Sequence, residues 1–136
     1  MKILTLLMAS LFTASIAKAT SPENLGSGYV CNAQFADGTQ LKIYFTNIVT
    51  NRYDGKGKGR LIVDNISRQP AENVLDVTGM YVPSPGGPEG PTISYSNLSF
   101  TLSEAGSVTY DLTGAFDESE ISGTCTYKRR VHRVEL

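Results

Sequence analysis

Apolar and polar residues alternate along most of the chain beyond residue 27, and this alternation predicts β-strands. The clearest case is residues 41–45, where Leu41, Ile43 and Phe45 are separated by Lys42 and Tyr44. A strand with this pattern buries one face and leaves the other in water. We therefore expect Tyr44 to lie on the polar face of its strand.

The two cysteines lie in predicted strands near opposite ends of the chain. Cys31 belongs to residues 27–35 and Cys125 to residues 121–127, and in each strand the cysteine shares the apolar face. In an oxidising compartment two distant cysteines form a structural disulfide, and the alternative is a pair of buried free thiols. A disulfide would tie the first strand to the last.

The remaining alternation predicts strands at residues 60–64, 73–82, 92–102 and 108–116. Within residues 92–102 the apolar face switches near Asn97, which indicates a β-bulge. About seven strands with short links and no amphipathic helix are typical of an all-β fold, a small antiparallel barrel or sandwich with meander connections. The link between the terminal strands favours the barrel.

Glycines and prolines mark the predicted connections. Asp37-Gly38 predicts a hairpin turn. Residues 51–59 are rich in glycine and charge, which predicts a flexible loop. Residues 83–91 hold four of the six prolines and are expected to form an exposed loop.

The first 19 residues have the pattern of a cleaved secretory signal. Lys2 precedes an apolar run over residues 3–12, and Ala17-Lys18-Ala19 ends the segment. The run is too short for a membrane span, and no later segment is long enough. We expect residues 20–136 to form a single β domain that is exported to the periplasm or the medium.

Charge and composition disfavour several functions. Loss of Lys2 and Lys18 with the signal would change the net charge from −1 to −3, which disfavours nucleic-acid binding. His132 is the only histidine, so a zinc site is not expected, and no nucleophile motif is present. The acidic residues 117–120 are interpreted as a solvated turn, although hydrolysis by two carboxylates stays open. No cofactor is expected, and the chain is predicted not to be an enzyme.

The long irregular segments are therefore the predicted binding surface, since scaffolds commonly carry recognition on loops. The partner would be an unidentified protein or small ligand, and the sequence does not indicate an oligomeric state. The candidate contact residues are Tyr53, Lys56, Lys58, Arg60, Tyr81 and Glu89.

Tyr29-Val30-Cys31, the Asp37-Gly38 turn and residues 41–45 together resemble the beginning of the small periplasmic barrels that inhibit c-type lysozymes. The resemblance covers residues 29–45 and implies a barrel that acts as an enzyme inhibitor. It supplies no inhibitory residues for this chain. A barrel that holds a small ligand is the other alternative to a general binding module.

Overall fold

The computed structural model describes residues 23–50, 56–79, 82–83 and 89–133, which form antiparallel strands and contain no helix. The predicted signal segment lies outside these residues. The strands are β1 (Glu23–Phe35), β2 (Gln40–Thr50), β3 (Lys56–Asn65), β4 (Glu72–Thr78), β5 (Val82–Pro83), β6 (Glu89–Tyr95), β7 (Leu98–Glu104), β8 (Thr109–Phe116) and β9 (Ser119–Arg133).

Eight of these strands form one curled, half-barrel sheet in the order β4-β3-β2-β1-β9-β8-β7-β6, and the short β5 pairs with β3. The sheet consists of two four-stranded meanders that meet where β1 pairs with β9. Cys31 lies directly opposite Cys125 in this central pair, and the two form a disulfide. The predicted all-β fold and the disulfide are confirmed, with more strands than the seven expected.

The concave face of the sheet holds the main hydrophobic core. Tyr29, Cys31 and Ala33 line it from β1, and Ile121 and Cys125 line it from β9. The large side chains that are completely buried there are Ile43, Phe45, Leu61, Val63, Ile93, Leu98, Phe100, Leu102 and Leu112. Their alternation with polar residues explains why the strands were visible in the sequence.

The central β1–β9 pair requires a glycine at position 123. A Cβ atom there would overlap the carbonyl oxygen of Asn32 and lie 2.6 Å from the Cα atom of Ala33. Gly123 therefore lets β9 approach β1 closely within the central pair of the sheet.

The face switch near Asn97 is a hairpin turn, and the predicted bulge was wrong. Tyr95 pairs with Leu98, so Ser96 and Asn97 form a two-residue connection between β6 and β7. Such a turn exchanges odd and even positions on the buried face, as a one-residue bulge would, so the alternation alone could not separate the two.

Two predicted loops partly belong to strands. β3 begins at Lys56, and Gly57 and Gly59 are buried within it, so residues 56–59 are not loop. A Cβ atom at Gly59 would lie 3.1 Å from the ring of Phe45, so the strand needs glycine there to pass the core. The ends of the proline-rich segment lie in β5 and β6, and residues 51–55 and 84–88 lie outside the described residues.

The first residues of β1 and the last residues of β9 form a terminal ribbon, consisting of residues 23–28 paired with residues 128–133. Register shifts at Gly26 and Gly28 bend this ribbon. Its residues Leu25 and Val131 pack on Tyr44 and Ile62, which project from the convex face of β2 and β3. The ribbon therefore covers part of the convex face.

This covering makes the prediction for Tyr44 wrong. Its side chain lies on the convex face, as the alternation required, but only 4% of the residue is exposed. Burial raises the pKa of the Tyr44 phenol. The face was expected to be wet because the sequence pattern does not show which faces later receive a second layer.

Charged residues fasten the terminal ribbon to the sheet. Arg133 donates two hydrogen bonds of 2.9 Å to the carboxylate of Asp64 on β3. Arg60 donates to Asp76 at 3.0 and 2.9 Å and to Glu23 at 3.1 Å. These ion pairs join β1, β3, β4 and β9 around the small convex core.

The Arg60–Asp76 pair predicts a loss of stability in acid. Hydrogen bonds from Arg60 hold the pKa of Asp76 below its ordinary value of 3.8. A carboxyl whose folded-state pKa is lowered stabilises the fold above its unfolded pKa, and this contribution disappears as pH falls through the folded pKa. We expect the free energy of unfolding to fall as the pH drops through and below the ordinary pKa of 3.8, and to fall less steeply in Asp76→Asn.

Urea unfolding at a series of pH values measures both slopes. Glu104→Gln is the matched control, because Glu104 is exposed and forms no ion pair with another described residue. Equal slopes for the wild type and Asp76→Asn would contradict the assignment.

Candidate functional site

The predicted contact residues fall on β3, at the start of β6 and outside the described residues. Tyr53 and Tyr81 lie outside the described residues, so their role stays a prediction. Lys56 and Glu89 occupy the first positions of β3 and β6. Lys58 is exposed on β3. β5 pairs with the start of β3 and also contacts β6, so the strands of Lys56 and Glu89 are linked through β5, and the binding surface made by these residues stays a prediction.

Arg60 is held in the ion pairs that fasten the terminal ribbon. Its donors are directed at Asp76 and Glu23, and these bonds raise the pKa of the guanidinium further above its ordinary value. This arrangement gives Arg60 a structural role, and a contact with a partner stays a prediction.

A groove of about 550 Å³ opens at the end of the sheet where the β1–β2 and β8–β9 turns lie side by side. We call it the acidic groove. Phe35 and Phe116 are half-buried in it, with ring centroids 6.4 Å apart. Its lining residues are Phe35, Ala36, Asp37, Thr39, Phe116, Asp117, Ser119 and Glu120.

Both turns that frame the acidic groove have defined conformations. The Asp37 carboxylate accepts a 2.9 Å hydrogen bond from the amide of Thr39, and this bond lowers the pKa of Asp37. In the other turn, Asp117 and Glu118 both have positive φ values, 51° and 67°. This is the conformation of a two-residue hairpin turn that usually contains asparagine or glycine. The chain instead places two carboxylates there.

The sequence contained a signal for this groove that our interpretation missed. An aromatic residue immediately precedes each turn, Phe35 before residues 36–39 and Phe116 before residues 117–118. The acidic residues 117–120 were interpreted as a solvated turn, and they are exposed. Their position beside two aromatic rings became visible only with the strand order.

Three tyrosines form a cluster at the opposite end of the sheet. The Tyr29 ring contacts Tyr110 and Tyr127 edge-on, with centroids 5.3 and 5.2 Å apart. Burial, together with the neighbouring tyrosines, raises the pKa of Tyr29 to about 12. Tyr29 therefore remains protonated at neutral pH, and its ring packs against those of Tyr110 and Tyr127.

A stretch of positive charge lies on the terminal ribbon. Lys128, Arg129, Arg130 and His132 are all exposed, and we call them the basic stripe. Val131 and Arg133 face the sheet, so strand alternation directs His132 away from it. The basic stripe lies at the other end of β9 from the acidic groove.

Within the described ranges, no group of three or more His, Cys, Asp or Glu residues is placed to hold a metal ion. The same part of the chain contains no helix with the length and apolar character needed to cross a membrane. The described grooves lie on the surface, and apolar side chains occupy the concave face.

Comparison of the chain with protein-family models, with characterised proteins and with solved structures found no match.

Proposed function

We propose that this protein is an exported, non-enzymatic binding module that contacts a partner protein through its turns and loops. The main support for this proposal is that apolar side chains fill the concave face, while the acidic groove is open to solvent. A filled interior favours recognition on the exterior over enclosure of a small ligand.

The chemistry of the acidic groove suits a basic segment of the partner. Asp37, Asp117 and Glu120 line it, and its described lining includes no lysine or arginine. Phe35 and Phe116 supply aromatic surface on which a lysine or arginine side chain can lie. Charge complementarity of this kind directs association and excludes acidic partners.

Two observations support export. The buried disulfide is of a kind that persists in oxidising compartments. Residues 1–19 have the sequence pattern of a secretory signal. The periplasm or the medium is the location consistent with both.

The test uses the purified protein and defined probes. A fluorescent nonapeptide that alternates lysine and glycine should bind the wild type, and a glutamate-glycine peptide should not. The Asp117→Asn plus Glu120→Gln variant should bind the lysine peptide about 10-fold more weakly, because a charge-assisted contact contributes on the order of 1 kcal/mol or more. Fluorescence anisotropy measures both affinities.

Asp111→Asn plus Glu104→Gln is the matched control, because it removes two exposed carboxylates far from the groove. Equal loss of binding in both variants would contradict the assignment to the acidic groove. Turnover of a substrate that a carboxylate substitution abolishes would overturn the non-enzymatic function.

A c-type lysozyme is a useful second probe, because residues 29–45 resemble the inhibitors of these enzymes. Inhibition of its lytic activity would identify the partner class and make the protein an inhibitor. The same assay with Tyr53→Ala plus Lys56→Ala, and with residues 83–91 shortened, tests the two predicted loops.

A further inference from the structure

The residues of the basic stripe form no ion pair with another residue that the structure describes. The arginines of the described ion pairs are Arg60, Arg68 and Arg133, so the stripe takes no part in them. The paired residues of β1 are uncharged, since Asn24 lies opposite His132 and Gly28 opposite Lys128. The stripe therefore adds exposed positive charge without an ion-pair partner at the end of β9, on a chain whose net charge is −1.

Exposed apolar side chains adjoin the stripe. The amide of Tyr127, immediately before Lys128, donates a 2.9 Å hydrogen bond to the carbonyl of Val108. Val108 is 48% exposed and Tyr127 is 39% exposed. An aromatic ring and an aliphatic side chain beside clustered cations are the combination that interfacial membrane proteins use.

Negative charge lies near the first residue of β9 and positive charge near its last, so the two ends of the molecule differ in charge. Asp117 lies in the turn before β9 and Glu120 is the second residue of β9, both lining the acidic groove, whereas the basic stripe lies near the last residues of β9. A negatively charged surface would attract the stripe and repel the groove. The groove would then face away from that surface.

We propose that the basic stripe, with Val108 and Tyr127, docks the protein on an anionic phospholipid surface. The cations attract the lipid phosphates, and the two apolar side chains enter the interfacial region. The apolar pair favours a lipid surface over nucleic acid or an acidic polysaccharide, because neither would bury Val108. This surface is separate from the acidic groove and does not depend on the proposed function.

The first experiment measures co-sedimentation of the purified protein with vesicles. We expect binding to phosphatidylcholine vesicles that contain about 30% phosphatidylglycerol, and no binding to pure phosphatidylcholine. Arg129→Gln plus Arg130→Gln should weaken binding about 25-fold, since each charge near the surface contributes about 5-fold. Higher salt should weaken binding of the wild type as well.

Lys42→Gln plus Arg68→Gln is the matched control. It removes the same charge at sites outside the terminal ribbon and should leave vesicle binding unchanged. Equal weakening in the two variants would show that only net charge matters, and would overturn the proposal.

A second experiment reports insertion directly, because the chain contains no tryptophan. In Val108→Trp, fluorescence should shift to shorter wavelength with anionic vesicles and be quenched by brominated lipid. Tyr95→Trp is the control, because the exposed Tyr95 borders the β6–β7 turn at the opposite end of the sheet. Its spectrum should not change.

Two results would overturn the lipid surface as the partner. One is vesicle binding without a spectral shift in Val108→Trp, which would show a purely electrostatic contact. The other is binding of a heparin fragment at concentrations where anionic vesicles do not bind, which would assign the stripe to a soluble polyanion. Circular dichroism of each variant confirms that it is folded.

Discussion

Replacing both cysteines, as Cys31→Ala plus Cys125→Ala, is expected to lower the free energy of unfolding by about 4 to 5 kcal/mol. The disulfide joins residues 94 positions apart, and cross-linking so long a segment removes much of the entropy of the unfolded chain. Both half-cystines are also buried, so the variant loses packed sulfur atoms in the core. Native domains are stable by only about 5–15 kcal/mol, so the variant should be barely folded.

Urea unfolding of the wild type under oxidising and reducing conditions, and of the double variant, measures this effect. The reduced wild type serves as the control, because it lacks the cross-link but keeps both sulfur atoms. Thiol titration of the denatured, unreduced wild type should find no free cysteine. A difference of less than about 1 kcal/mol between oxidised and reduced protein would contradict the expected role.

Removing the carboxylate of Asp64 is expected to lower the free energy of unfolding by about 3 kcal/mol in Asp64→Ala. The Asp64 side chain is only 3% exposed and accepts bonds from Arg133 and Asn73. The substitution leaves the Arg133 guanidinium, itself 14% exposed, without its closest partner. Glu23, 3.5 Å away, offsets part of the loss, which places the effect at the low end for a buried pair.

A double substitution separates the charge effect from packing. Asp64→Leu plus Arg133→Met should be less destabilised than the sum of the single variants, because no unpaired buried charge remains. Arg68→Ala is the matched control, since its pair with Glu72 is 69% and 54% exposed and should contribute at most about 1 kcal/mol. A large loss in Arg68→Ala, or none in Asp64→Ala, would contradict the assignment.

The strands of the main core could be predicted from the sequence, because burial on one face imposes a period of two. The second layer could not. Tyr44 was predicted to be exposed to solvent, because alternation distinguishes the two faces of a strand. Alternation does not reveal that Leu25 and Val131 cover one of these faces. That covering depends on the register shifts at Gly26 and Gly28, which bend the terminal ribbon and have no hydrophobic pattern of their own.

The acidic groove could have been predicted from the sequence once the disulfide was assumed to join paired strands. If Cys31 lies opposite Cys125 in an antiparallel pair, four further steps place Phe35 opposite Ile121. The hairpin at residues 117–118 then brings Phe116 beside Ser119, and hence toward Phe35. The missing step was the strand register. The positive charge of the basic stripe, in contrast, can be seen in the sequence. The sequence does not show that Arg133 is held in ion pairs while the stripe residues are exposed.

The pairing of β1 with β9 also determines when the protein can fold. The two strands at the centre of the sheet come from opposite ends of the described chain, so neither meander has a finished neighbour until the last strand is available. Contacts between such distant residues raise the contact order and slow folding. During synthesis the nascent polypeptide would therefore stay unfolded until β9 leaves the ribosome. An unfolded chain is the form that a translocation pore accepts, so late folding is compatible with the export proposed above, and a disulfide formed afterwards would stabilise the folded state.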